Sequence, residues 1–236
     1  MTSFLLRAAI RNNAFWCDAV CKAQGSPGEF TSTLWFHRRD TPPFYPDVIT
    51  LTETDGEAVE AIVTVINSEK RDWAVKDSYS ALDLAPLGFT MLFEAEWIGM
   101  WRPTLTPSPF TWKRMENAAD LARWEAEWAK ANGPVTQTIF TEPLLHNPEI
   151  AFLLGFEHDQ PVGGGILNHH GGVVGHSNLF AGGGRVEAIR RGMIAQAAEL
   201  YPGEPLVGYE RGDDLDEALR TGFELLGPLR VWLKEA

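Results

Sequence analysis

Three consecutive glycines, Gly182, Gly183 and Gly184, precede Arg185 at a point where a strand pattern gives way to a helix pattern. Glycine tolerates positive φ and lets a ligand approach the main chain closely. The free N–H groups and the positive dipole end of a helix N-terminus favour an anion such as pyrophosphate. Arg185 would add a charge-assisted hydrogen bond. The spacing therefore predicts a phosphate-binding turn, with a flexible surface turn as the alternative.

The strand expected before this turn carries polar side chains that could handle protons. Over residues 175–180 (GHSNLF), strict alternation places His176, Asn178 and Phe180 on one face. His176 is a candidate general base, because an unperturbed imidazole has a pKa of about 6.5 and is largely neutral near neutral pH. The alternative is a structural histidine whose ring nitrogens are hydrogen-bonded within the protein. Asn178, on the same face, is a candidate substrate contact.

Two further elements follow the glycines. An amphipathic helix is predicted over residues 186–200, with its apolar stripe facing the core and charged residues, including Arg190 and Arg191, facing solvent. A strand is predicted at residues 206–210. Alternation turns Tyr209 and Glu210 to opposite faces of that strand, so at most one of the two serves a site.

Hydrophobic periodicity and turn signals predict the elements that position these residues. Before residue 102 they predict helices at 4–23, 56–67 and 81–87 and strands at 30–37, 48–51, 73–77 and 90–101. After residue 109 they predict helices at 120–131, 142–148, 186–200 and 214–221 and strands at 110–115, 150–157, 162–168, 173–180, 206–210 and 229–234. Pro103, Pro107 and Pro109 exclude a helix between these halves. We therefore expect a domain at residues 1–103, a Pro-rich linker at 104–109 and a second domain at 110–236.

The two halves share an ordered series of short motifs. Each block contains a strand, a helix, a Gly-Phe pair and a strand with a tryptophan. Val75 and Val207 are separated by 132 residues, and Trp97 and Trp232 are separated by 135 residues. Such an ordered series predicts an internal repeat.

The second half resembles the GNAT (GCN5-related N-acetyltransferase) superfamily. The resemblance rests on the element order over residues 110–236, the glycine-rich turn before the 186–200 helix, and Gly222-Phe223 before the last strand. It implies an α/β fold of the α+β type, with a mixed central sheet flanked by helices. Together with the repeat, it makes the whole chain similar to tandem-GNAT acyltransferases with a degenerate N-terminal copy.

The resemblance also implies a reaction. It implies a CoA-dependent N-acyltransferase that moves an acyl group from acetyl-CoA or another acyl-CoA to an amine of a small molecule or a peptide. The CoA pyrophosphate would lie at Gly182, Gly183, Gly184 and Arg185. A backbone N–H at residue 179 or 180 (Leu179 or Phe180) would bind the oxyanion.

The sequence departs from the family pattern in two places. The nearest fit to the family's loop is residues 185–188 (RVEA), with alanine at a glycine position. Ala218 stands where the family carries the tyrosine that protonates the leaving thiolate. Tyr209 is the candidate substitute, and a half-buried strand tyrosine is the alternative.

The first half lacks a comparable anion site. Its corresponding loop, residues 52–57, carries the carboxylates of Glu53, Asp55 and Glu57. Each would repel a pyrophosphate a few ångströms away by about 1 kcal/mol. We therefore expect the first half to bind no CoA.

Composition restricts the partners. The net charge is −12 in 236 residues, with no basic stripe for a phosphate backbone, so we expect no nucleic-acid partner. Cys17 and Cys21 are expected to fill the core. We expect no metal, no membrane span and no signal peptide, and a cytoplasmic location.

Two alternatives to the enzyme stay open. One is a catalytically inactive tandem-GNAT fold that binds a ligand or partner. The other is an acidic interaction module that binds no CoA. The sequence fixes neither the acceptor amine nor the oligomeric state.

Overall fold

The computed structural model describes residues 2–53, 55–66, 72–133 and 137–235. It contains α1 (Thr2–Ala23), α2 (Asp55–Ile66), α3 (Ala118–Asn132), α4 (Val186–Leu200) and α5 (Gly212–Arg220). Its strands are β1 (Glu29–Phe30), β2 (Leu34–Phe36), β3 (Val48–Thr50), β4 (Trp73–Asp77), β5 (Thr90–Met100), β6 (Thr111–Arg114), β7 (Ile150–Glu157), β8 (Gln160–His170), β9 (Val173–Ala181), β10 (Leu206–Glu210) and β11 (Glu224–Lys234). Short 3₁₀ helices occur at Ala85–Leu87 and Glu142–His146.

All these strands form one mixed sheet in the order β1-β2-β3-β4-β11-β5-β10-β9-β8-β7-β6. The pairs β3–β4 and β9–β10 are parallel, and the other neighbouring strands are antiparallel. Helices cover both faces. The predicted fold class, a mixed central sheet flanked by helices, is confirmed.

The centre of the sheet exchanges strands between the two halves. β5, from the first half, lies between β10 and β11, and β11, from the second half, lies between β4 and β5. Read outwards from the β5–β11 pair, both sides show an antiparallel neighbour and then a parallel pair. This symmetry agrees with the predicted repeat, although duplication and the boundaries at residues 103 and 110 stay predictions.

Three packed clusters hold the layers together. On one face, α1 and α3 bury an aromatic group that includes Trp16, Trp124, Phe152 and Phe180. On the opposite face, α4 and α5 pack on the second half, and α2 packs on the first. α1 contacts strands from both halves, so its apolar side joins them.

Several predicted boundaries differ from the structure. β11 begins at Glu224 rather than at residue 229, because a register shift between Leu225 and Gly227 accommodates Pro228 within the strand. The predicted 30–37 strand is divided into β1 and β2 by a turn in which Thr31 and Leu34 bond to each other. The 81–87 helix is a single 3₁₀ turn at Ala85–Leu87. Asn67, the predicted end of the second helix, lies outside the described residues.

The strand exchange predicts that the second half cannot fold alone. Residues 110–236 without β5 would leave β10 and β11 with unpaired inner edges, and would lose the cover of α1. We expect this fragment to aggregate or to lack a cooperative thermal transition. As a control, a protease site inserted after the exposed Leu105 should give a clipped chain that elutes as one folded species. A monomeric, cooperatively melting 110–236 fragment would contradict this account.

Candidate functional site

The neighbouring strands β9 and β10 separate soon after they pair. The structure pairs them in parallel at Leu206–Val174 and Val207–Gly175, and the next residues, His176 and Gly208, begin a gap. A Cβ added to Gly208 would lie 2.6 Å from Nε2 of His176, so the imidazole rests directly against this glycine. Backbone groups beyond this point are available to a molecule that enters between the strands.

A β-bulge shapes the β9 side of this gap. The β8–β9 register slips where Asn178 and Leu179 together lie opposite Gly165, and Asn178 has a φ of 52°. The extra residue reverses the alternation. As a result the His176 ring contacts Phe223 on the α5 face, with ring centroids 5.0 Å apart, whereas Phe180 packs on the opposite face. The predicted common face for His176, Asn178 and Phe180 is therefore wrong.

A cavity of about 290 Å³ occupies the gap and extends beneath α1. Its lining brings together four predicted site residues, namely His176, Asn178, Leu179 and Tyr209. Phe180 instead packs against Trp124, with ring centroids 5.3 Å apart, and the 182–185 turn lies outside this lining. The cavity therefore brings the two candidates for proton transfer, His176 and Tyr209, together with Leu179 and not with Phe180.

An ion pair that the sequence did not predict borders the cavity on the α4 side. Arg190, expected on the solvent face, is 1% exposed, and its Nη1 donates to Oε1 of Glu210 at 2.8 Å. Burial raises the pKa of the Glu210 carboxyl, and Arg190 opposes that rise. Burial, aided by the positive charge of Arg190, lowers the pKa of His176 to about 3. His176 is therefore neutral at every pH at which the protein would be assayed.

Aromatic residues line the α1 side of the cavity. Tyr209 meets Trp97 edge to face, with centroids 5.4 Å apart, and Glu210 lies on the other face, as alternation predicts. Cys17 is a buried free thiol, and burial raises its pKa to about 11. The predicted role of Cys17 in the core is confirmed, because a protonated thiol at this depth is an apolar group.

Comparisons with solved structures relate this arrangement to known proteins. No protein-family model matches the sequence, and no curated protein matches it significantly. A GCN5-related N-acetyltransferase from Kribbella flavida is similar, with a TM-score of 0.64 and 15% identity over 97% of this chain and 96% of that one. A GCN5-related N-acetyltransferase from Sphaerobacter thermophilus gives 0.54 and 15% over 76% and 64%. A functionally unknown conserved protein from Staphylococcus epidermidis gives 0.63 and 12% over 89% and 94%.

The chain has the GNAT fold. The similarity covers nearly the full length of both this chain and the Kribbella flavida protein, so the fold assignment extends to both halves. At 12–15% identity, the fold is what these structures share, and the chemistry must be argued from this chain's own residues.

The glycine-rich turn has the backbone geometry that its sequence predicts. Gly183 and Gly184 have φ values of 63° and 72°, and α4 begins directly afterwards. Among the described residues, no side chain caps the first turn of α4, so its N–H groups remain available. Arg185 is not free, because its Nη2 donates to Oε2 of Glu157 at 2.9 Å. Both side chains are partly exposed, so this pair can open at little cost.

Internal hydrogen bonds link the chain segments just beyond the other parallel pair, β3 and β4. The Ser78 backbone N–H donates to Oγ1 of Thr50 at 2.8 Å, and the Ser78 carbonyl accepts from Nε1 of Trp97 at 2.9 Å. The Leu82 N–H donates to Oδ2 of Asp77 at 2.9 Å. The predicted repulsion by the 52–57 loop is untested, since Thr54 and the side chains of Asp55 and Glu57 lie outside the described part.

Two features are absent from the described part of the chain. No helix in these ranges is long and apolar enough to cross a membrane. No three His, Cys, Asp or Glu side chains in the described ranges are arranged to hold a metal ion.

The buried His176 makes stability depend on pH. Its pKa is about 3 in the folded chain and about 6.5 when unfolded, so the unfolded chain takes up the proton first as the pH falls. The contribution of His176 to the free energy of unfolding is complete above pH 6.5 and is lost as the pH falls towards 3. Between pH 7 and pH 5, His176 should remove about 2 kcal/mol from the free energy of unfolding.

Urea denaturation of the wild type and of His176→Gln at these two pH values measures this contribution. The variant should lose about 2 kcal/mol less than the wild type over this interval. An equal loss in both proteins would show that His176 is not a buried neutral imidazole.

Proposed function

We propose that the protein is a CoA-dependent N-acyltransferase with one active site, in the gap between β9 and β10. One observation carries the proposal: the strands separate beside a bulge at Asn178 and Leu179, at the end of β9 that leads to the uncapped N-terminus of α4. The opening would take the thioester, and the turn that follows the same strand would take the pyrophosphate. The GNAT fold supports acyl transfer, and the gap supports its location.

The turn at residues 182–185 would bind the CoA pyrophosphate. Two adjacent glycines at positive φ let phosphate oxygens reach main-chain N–H groups, and the positive end of the α4 dipole favours their charge. When CoA binds, Arg185 would release the Glu157 carboxylate and pair with a phosphate instead. The pantetheine arm would then run along β9 towards the gap.

The acceptor ammonium first gives a proton to solvent water, and at the gap the neutral nitrogen attacks the thioester carbonyl carbon, forming a C–N bond and an oxyanion. The Leu179 N–H is the proposed oxyanion donor, because Leu179 lines the cavity and Phe180 does not. The C–S bond then breaks, and the thiolate takes a proton from the Tyr209 hydroxyl. Tyr209 regains a proton from the nitrogen through water, which balances the reaction.

The role of His176 as a general base stays a prediction, and the structure favours a different role. Burial and the positive charge of Arg190 disfavour the imidazolium form of His176, so proton transfer to it from an acceptor ammonium is strongly uphill. In the described structure, Nε2 of His176 is buried without a hydrogen-bond partner. We therefore propose that His176 accepts a hydrogen bond at the gap while remaining neutral.

Ala218 favours the alternative of a ligand-binding protein without catalysis. It is fully buried against the α4 side of the core, so no proton donor is present at this position. Tyr209 is then the group on which catalysis depends. An assay that separates CoA binding from thiol release distinguishes the two functions.

CoA binding at the glycine-rich turn can be tested with a matched pair of variants. Gly184 has open space where a Cβ would lie and a φ of 72°, which Asp and Asn both tolerate. Gly184→Asp adds a negative charge beside the pyrophosphate and should weaken CoA binding about tenfold or more, whereas Gly184→Asn should bind nearly as well as wild type. Calorimetric titration should give one CoA per wild-type chain.

Tyr209→Phe completes the test. This variant should bind CoA normally but release thiol from acetyl-CoA more slowly in the presence of an acceptor, by about 10²-fold or more. Two CoA per chain, or equal affinity in the Asp and Asn variants, would exclude the proposed CoA site. Normal turnover in Tyr209→Phe would remove Tyr209 from the mechanism.

A further inference from the structure

Lys76 is a buried cation on the wall of the cavity. It lies on β4, in the first half, and is 3% exposed. Its Nζ donates to Oδ1 of Asn13 on α1 at 2.8 Å and lies 4.2 Å from the centre of the Tyr209 ring. The ring face attracts the ammonium, and the amide oxygen accepts one of its three protons. Both partners are electrically neutral.

Within the described ranges, Lys76 has no carboxylate partner. The acidic groups of neighbouring elements have other partners: Oδ1 of Asp18 on α1 accepts from the Gly28 N–H and from Nε1 of Trp35. Glu210, across the cavity, pairs with Arg190. Buried ammonium groups are costly to desolvate and are normally paired with an opposite charge. The structure thus holds an ammonium group in the cavity lining whose direct contacts, Asn13 and Tyr209, are both neutral.

A second polar group in the cavity lining is the Tyr45 hydroxyl. It is buried, it has no hydrogen bond within 3.5 Å in the described structure, and the Asn178 side chain is its nearest hydrogen-bonding neighbour, at a longer distance. Burial raises the Tyr45 pKa, so the hydroxyl keeps its proton and can donate it in a hydrogen bond. Trp16 and Trp97 form apolar walls beside these groups. An anion held by Lys76 and Tyr45 would have an apolar enclosure and two donors.

We propose that the acceptor is a small amine that also carries a carboxylate, bound by Lys76 and Tyr45. The carboxylate would pair with Nζ of Lys76 and accept from the Tyr45 hydroxyl, while the amine points to the gap at Leu179. This inference rests on the proposed acyl transfer and selects among its acceptors. A cavity of about 290 Å³ suits a free amino acid, whereas the amine of a peptide N-terminus or of a protein lysine has no free carboxylate at this distance.

The test compares amino acids with their own carboxamides, which keep the amine and remove the anion. The twenty protein amino acids, β-alanine and their carboxamides are each added to the wild-type chain. Thermal unfolding with and without CoA, and thiol release from acetyl-CoA, are measured. At least one acid should bind, and react, tenfold to a hundredfold better than its amide, the range for a charge-assisted hydrogen bond. The proposal is overturned if no acid in the panel exceeds its amide.

Two variants distinguish a role of Lys76 in binding the carboxylate from a role in stabilising the fold. Lys76→Met keeps the length of the side chain and removes the charge, and Asn13→Asp gives Lys76 a carboxylate partner within the protein. Both should reduce the preference for acid over amide to within about twofold, and neither should lower the melting temperature, because each relieves a buried unpaired charge. A lower melting temperature in Lys76→Met together with unchanged selectivity in Asn13→Asp would make Lys76 structural and overturn the proposal.

Failure of the Lys76 site can be distinguished from failure of the proposed acyl transfer. CoA should stabilise both variants as it stabilises the wild type, since neither residue contacts the 182–185 turn. If CoA stabilises no form of the protein, acyl transfer fails, yet stabilisation of the wild type by an acid and not by its amide would still support the Lys76 site.

Discussion

The early separation of β9 and β10 is the constraint on which the site depends. Two residue pairs hold these parallel strands together, and beyond Val207 and Gly175 their facing backbone groups need another partner. The sheet stays continuous on both sides of the gap, through β5 and β8. Gly208 lets the His176 ring lie at the start of the gap, and the bulge at Asn178 turns the rest of β9.

The exchange of β5 and β11 makes the two halves depend on each other. β5 carries Trp97, whose indole bonds to Ser78 in the first half and whose ring supports Tyr209 in the second. α1 crosses both halves and supplies Asn13 to the cavity, where it meets Lys76. One half thus supplies the proposed turn for CoA, and the other supplies Asn13, Lys76 and Trp97 to the wall of the cavity.

The sequence predicts elements better than it predicts the site. Strong periodicity and clear flanking turns predict β7, α4 and β10 with the bounds observed. The bulge was missed because residues 175–180 contain no proline or glycine at the position where φ becomes positive. Arg190 was assigned to solvent by its charge alone, although it is four residues after Val186 and three before Met193, on the apolar stripe. Lys76 was not predicted as a site residue. Two strands, β11 and β5, lie between its strand and that of Tyr209, so no local sequence pattern shows that the two side chains meet.

The central claim is that a thioester lies in the β9–β10 gap with its carbonyl at Leu179. A crystal structure with a non-hydrolysable acetyl-CoA analogue tests it most directly. We expect one analogue per chain, with its pyrophosphate on the 182–185 turn and its carbonyl oxygen about 3 Å from the Leu179 nitrogen. An analogue bound at the first half, or one whose acyl group lies outside the gap, would contradict it.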